Sequence, residues 1–132
     1  MKFLDTNILL RYLLADDKKQ SPAARNFFSK VEKGEEEVRI TPLVLAEVVY
    51  FLERNLFSRK KIAKIILKIL SSPFIFLEDK EDFEKIFKIY TEENIDFVDA
   101  YHAVYCHKNN IKEVISFDRD FDKTKIVKRK KP

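Results

Sequence analysis

A chain of 132 residues with 45% hydrophobic and 36% charged side chains is sized for one domain with a real core, and is neither a disordered chain nor a membrane-embedded one. Its single cysteine, Cys106, excludes an internal disulfide and a cysteine-based zinc site, so any metal must be held by oxygen. The net charge of +4 resides at the end of the chain, because residues 123–132 hold six basic groups and no acid, leaving 20 basic against 22 acidic groups before them.

Residues 2–4 predict a short apolar strand that stops on Asp5, followed at once by a helix over residues 8–14. Ser21-Pro22 opens a second helix to residue 32, since proline suits a first helical turn, and the only glycine, Gly34, ends it. A strand over 38–40 leads to Thr41-Pro42, an N-cap and a first-turn proline, and to a helix reaching residue 55. Ser58 caps the next helix, whose Ile62, Ile65, Ile66, Ile69 and Leu70 form one apolar stripe. A strand over 74–77 follows Pro73, and Asp79 caps a helix with Phe83, Ile86, Phe87 and Tyr90 on one face.

The last helix covers 97–107, with Asp96 at its cap. Asn109-Asn110 break the chain before a strand over 114–117, and Ile126-Val127 add an edge strand. The tail at 123–132 has the charge to attract a polyanion such as RNA, or simply forms a frayed, solubilising end. Strands alternating with helices imply right-handed crossovers, and so an α/β fold with a parallel sheet covered on both faces, in a single domain spanning residues 1–132. One glycine cannot build a dinucleotide fingerprint or a phosphate-binding loop. No apolar run approaches the ~20 residues of a membrane span, and Asp5 and Arg11 interrupt the stretch that a signal peptide would need. A cytoplasmic protein without a membrane partner is expected.

Four acids carry the chemistry. Ligands of a parallel sheet bind outside the carboxyl ends of its strands, where Asp5 and Asp118 are expected. Glu47, in the helix capped by Thr41, and Asp99, near the start of its own helix, could lean toward that edge, because helical side chains tilt toward the N-terminus. Carboxylates about 5 Å apart repel by roughly 3 kcal/mol per pair at an effective dielectric near 20, so such a site must hold either protons or cations. With oxygen ligands only, Mg²⁺ or Mn²⁺ fits better than Zn²⁺. Glu47, between Ala46 and Val48 in an apolar segment, reads as a buried acid in need of a partner. Asp118 has neighbours in Asp120 and Asp122, which a solvated loop would also explain.

At this point the chain resembles the PIN domain, and within it the VapC-type ribonuclease toxins. The resemblance lies in Phe3-Leu4-Asp5-Thr6-Asn7-Ile8-Leu9-Leu10-Arg11-Tyr12, Thr41-Pro42-Leu43-Val44-Leu45-Ala46-Glu47, Asp96-Phe97-Val98-Asp99-Ala100 and Ser116-Phe117-Asp118-Arg119-Asp120-Phe121, which span nearly the whole chain in the family's order. It implies a three-layer PIN-like fold, with a central parallel sheet of about five strands flanked by helices. It further implies metal-dependent cleavage of RNA, with Asp5, Glu47, Asp99 and Asp118 as catalytic metal ligands. Asn7 and Ser116 then match polar residues that orient the quartet; the family often has threonine where Ser116 stands, and both supply a hydroxyl.

Arg11, a turn beyond Asn7, either contacts substrate phosphate or forms a surface ion pair. His102, His107 and Cys106 read as surface, helix-end and core residues, and the Phe-rich helix faces as core or dimer surface. A small antitoxin protein and a homodimer are further implications of the resemblance. The competing reading is a PIN-like binding or assembly module with little catalysis. A third, an aspartyl-phosphate enzyme, would need a second aspartate where Asn7 stands.

Overall fold

The computed structural model describes residues 1–132, and three of its helices begin where Asp5, Thr41 and Ser58 cap an apolar stripe. Two compact units result, Met1–Lys80 and Glu81–Pro132.

In the first unit, β1 (Lys2–Phe3) leads into α1 (Thr6–Leu14) and α2 (Gln20–Glu32), then β2 (Val38–Arg39), α3 (Pro42–Arg54), α4 (Arg59–Leu70) and β3 (Ile75–Phe76). The strands pair in the order β1-β2-β3, all parallel, with Phe3 opposite Arg39 and Arg39 opposite Phe76. This register lets Asp5 and Thr41 leave their strands at the same level. The Thr41 hydroxyl accepts from the Val44 amide with Pro42 in the first turn, and the Ser58 hydroxyl accepts from the Lys61 amide, as their sequence patterns predict. Ile62, Ile66 and Leu70 of α4 are buried with Val44, Leu45, Val48, Val49 and Leu52 of α3. Each such side chain contributes roughly 1.5–3 kcal/mol by leaving water.

The start of α2 differs from the sequence reading. Helix α2 starts at Gln20 rather than at Pro22, because the Asp17 carboxylate accepts from the amides of Lys19 and Gln20. Ser21 is buried, and its hydroxyl accepts from the Asp17 amide instead of capping. Beyond α2, Gly34 turns the chain with φ +76°, and a Cβ built there would lie 2.8 Å from the Phe74 ring. Positive φ and close approach together require glycine.

In the second unit, a 3-10 turn ends at Asp82 and passes into α5 (Phe83–Glu92), followed by α6 (Phe97–Lys108), β4 (Glu113–Ile115), a 3-10 turn at Arg119–Lys123 and β5 (Lys128–Lys130). Asp79 does not cap α5, because it adopts φ +54° and the 3-10 turn intervenes. Phe83, Ile86, Phe87 and Tyr90 are buried as predicted, and the Phe87 and Phe97 rings lie 5.2 Å apart across α5 and α6.

Strands β4 and β5 are parallel and pair Val114 with Arg129. The last strand therefore lies two residues beyond the predicted one. Val127 is instead a core residue, buried with Ala103 and Phe121 against Cys106, Val114 and Ile126. A frayed tail is also overturned. Thr124 and Val127 are buried, Lys123 donates to the Asn94 carbonyl and Lys130 pairs with Glu113. The strands are thus hydrogen-bonded as a parallel sheet of three and a parallel sheet of two. No helix is long and apolar enough to cross a membrane.

Candidate metal centre

The first unit presents Asp5, Asn7 and Glu47. Buried Leu4 ends the apolar run, and Asp5 follows in extended geometry as the N-cap of α1, its carboxylate accepting from the Asn7 amide at 3.2 Å. The bond fixes the carboxylate at the mouth of the helix, where the positive end of the helix dipole stabilises it. Glu47 lies six residues past the cap of α3 and is exposed, whereas Val44, Leu45, Val48 and Val49 face inward. The expectation of a buried Glu47 is therefore corrected: the 3.6-residue period turns it outward although its sequence neighbours are apolar.

Arg11 is held by its neighbours, with Nε donating to Gln20 at 2.8 Å and a terminal nitrogen to Asp16 at 3.1 Å. The ion-pair reading of this residue is the one observed.

The second unit gathers more acid than the motifs alone suggested. Asp96, Asp99 and Asp120 can each offer a carboxylate oxygen within 4.8 Å of the other two, and Asp118 shares a hydrogen bond with Asp99. The backbone imposes this crowding. Asp96 occupies the N-cap position of α6 with no side-chain cap bond, and Asp99 stands one turn on. The Ser116 hydroxyl accepts from the Asp118 amide at 2.9 Å, and Asp118 in turn accepts from the Asp120 amide at 2.9 Å. Asp120 bridges back to α6 by accepting from the Asp96 amide at 3.4 Å, and pairs with Lys123 at 2.9 Å.

Asp99 bears the electrostatic strain of this arrangement. Its half-buried carboxyl is raised to about 6 from the ordinary 3.8, first by desolvation, then by the hydrogen bond with Asp118 and by the charges of Asp118, Asp120 and Asp96. Two carboxyl groups can share a hydrogen bond only if a proton sits between them, so the cluster lacks one positive charge when all its acids ionise. A hard divalent cation supplies that charge, and the all-oxygen donor set fits one.

Asp96 and Asp120 were missed as members of this cluster. Their signal was present in the spacing of Asp118, Asp120 and Asp122, but not the fold of the loop that turns Asp120 toward α6. His102 is exposed and stacks edge-on against Tyr101, with the ring centres 5.7 Å apart. Cys106 is half-buried in the small core beside β5.

A family model of the PIN domain matches residues 2–127. The chain belongs to the PIN-domain family. It is also similar to the VapC ribonuclease of Aquifex aeolicus (strain VF5), with 32% identity over 124 residues that cover 93% of this chain and 91% of the relative. The PIN match runs through both units, so the α/β architecture with parallel strands and flanking helices is that of the family. It stops at Val127, and β5 lies just beyond it.

Proposed function

We propose that this PIN-domain protein is an endoribonuclease of the VapC type, the toxin of a toxin–antitoxin module, and that its cleavage of RNA depends on Mg²⁺ or Mn²⁺. Family membership and the VapC relative support the ribonuclease reading. The observation that carries metal dependence is the crowding of Asp96, Asp99, Asp118 and Asp120, which adds to burial in raising Asp99 to about 6.

The ligands are assigned to Asp5, Glu47, Asp99 and Asp118, with Asn7 and Ser116 as orienting groups. When bound, a divalent cation would ease deprotonation of the attacking water and offset the negative charge that builds on the phosphoryl and leaving oxygens. Asp5 is prepared for its part because the Asn7 amide already fixes one of its oxygens. Asp118 is aimed by a chain of short-range bonds from Ser116 to Asp120. In the reaction, water attacks the phosphodiester, the bond from phosphorus to the 3′ oxygen breaks, and the leaving oxygen takes up a proton. Arg11 steers substrate phosphate once RNA displaces Asp16 from its guanidinium.

In this reading residues 1–132 work as one PIN domain in the cytoplasm, paired as a homodimer and silenced by a small antitoxin protein. A non-catalytic binding module is not favoured, because partner recognition alone does not need mutually repelling carboxylates. The test is cleavage of a single-stranded RNA by wild-type protein with Mn²⁺, with excess chelator, and by Asp99→Asn. Loss of activity in the second and third conditions is expected; activity that survives both would overturn the proposal.

A further inference from the structure

Three acids alternate along the loop after β4, yet only two of them take part in the cluster. Asp122 is withdrawn from it by Arg129 of β5, whose Nε and one terminal nitrogen donate to the two Asp122 oxygens at 3.0 and 2.9 Å. The other terminal nitrogen donates to the Ser116 carbonyl at 3.2 Å. One guanidinium therefore ties the first residue of the 116–122 loop to its last, with Asp118 and Asp120 between them.

The same end of the loop is fixed through the backbone, where the Ser116 amide donates to the Lys130 carbonyl at 3.0 Å. From Ser116 the bonding continues through its hydroxyl to the Asp118 amide, and from Asp118 to the Asp120 amide. Arg129 is enclosed, with a side chain 13% exposed, so it is not presented to solvent as a polyanion-binding cation would be. The segment that supplies it lies beyond the residues matched by the PIN model.

We infer that Arg129 is a positioning residue, which clamps the 116–122 loop through Asp122 and Ser116 and thereby sets the metal affinity of the carboxylates that the loop carries. The inference rests on the metal-dependent reading proposed above and deepens it. Geometry demands arginine at this position. Its planar fork meets both carboxylate oxygens and still reaches a third acceptor, whereas a lysine ammonium is a single compact charge on a flexible stem. Partners that orient metal ligands typically change metal affinity or activity by 10–100-fold when removed, which sets the expected size of the effect.

The experiment measures Mn²⁺ binding to RNA-free protein by calorimetry, for wild type, Arg129→Ala, Arg129→Lys, Asp122→Asn and a control at an exposed residue of the same strand, Lys128→Ala. The melting temperature and RNA affinity in chelator are recorded beside it. Expected are an approximately tenfold or greater rise in the Mn²⁺ dissociation constant for both Arg129 variants and a smaller rise for Asp122→Asn. The control should match wild type, and RNA affinity in chelator should be unchanged throughout. Buried Val127 and the backbone bonds of β5 keep the fold in the variants. Should Arg129→Ala unfold, Asp122→Asn decides the matter, since it loosens the fork while retaining the shape of a half-exposed side chain.

Wild-type Mn²⁺ affinity in the Arg129 or Asp122 variants would overturn the clamp, as would full rescue by lysine, which would show that charge alone suffices. Loss of RNA affinity in chelator with unchanged Mn²⁺ binding would also overturn it and assign Arg129 to RNA. Wild-type protein that binds no Mn²⁺ would overturn the metal reading itself, which distinguishes that failure from failure of the clamp.

Discussion

The two units hold their acids in opposite ways. In the first, Asp5 is satisfied by the backbone: it caps α1 and takes the Asn7 amide, while Glu47 projects from α3 into solvent. In the second, Asp96, Asp99, Asp118 and Asp120 lie among one another, and Asp99 holds its proton up to about 6. A carboxylate that caps a helix stabilises the fold whether or not an ion is present. A carboxylate crowded by its own kind weakens the fold until an ion arrives. The first unit therefore holds its acids at little cost, whereas the second holds acids whose charges need an offset.

The largest effects should come from removing acids. Asp99→Asn and Asp5→Asn are each expected to lower cleavage by roughly 10³-fold, or ~4 kcal/mol of transition-state stabilisation, measured as kcat/KM on a short RNA. Their stabilities should differ. Asparagine caps a helix about as well as aspartate, so Asp5→Asn should melt near wild type, whereas Asp5→Ala should lose about 1 kcal/mol with the cap. Metal-free Asp99→Asn should melt above wild type at pH 7, because it relieves repulsion. A lower melting temperature for that variant would contradict the contrast between the units.

A smaller effect should appear in pH dependence. The Asp99 pKa is raised in the folded state to about 6 from 3.8, so between those values the folded protein binds more protons than the unfolded chain, and stability falls as pH rises. The contribution is fully present below about pH 4 and lost above about pH 6. Asp122 works in the opposite sense, since its hydrogen bonds with Arg129 lower its pKa, and its contribution is lost as pH falls below the ordinary carboxylate range. Melting curves of metal-free wild type minus those of Asp99→Asn isolate the Asp99 contribution, and Mn²⁺ should flatten the difference. A difference that does not change from about pH 4 to 7 would remove Asp99 from this role.

The smallest effect concerns Arg11, whose ion pair with Asp16 is partly exposed on both sides. Arg11→Ala should cost under about 1 kcal/mol in stability, while raising KM for RNA several-fold with little change in kcat. A fall in kcat at unchanged KM would place Arg11 in the chemical step.

Much of this was legible in the chain because it is local. Thr41-Pro42 and Ser58 name their helix starts within a single turn, and the apolar stripes of α4 and α5 follow from the helical period. The displacement of β5 was not legible, because tertiary packing takes Val127 into the core; the Asp17 bonds that precede α2 are local, but Ser21-Pro22 masked them. Crowding among acids was expected from the motifs, but the part of Asp96 and Asp120 in it was not. Only the fold of the loop shows that Asp120 reaches Asp96 while Asp122 is drawn away by Arg129. Glu47 misled because apolar neighbours in sequence do not share its face of the helix.

The Gly34 turn offers a handle for genetics. Its positive φ and the Phe74 ring beneath it leave no room for a methyl group, so Gly34→Ala imposes strain of about 1–3 kcal/mol far in sequence from every proposed ligand. A defect of that kind spares the chemistry and narrows the stability margin. It is the change by which an active gene becomes a temperature-sensitive allele, working in the cold and silent in warmth.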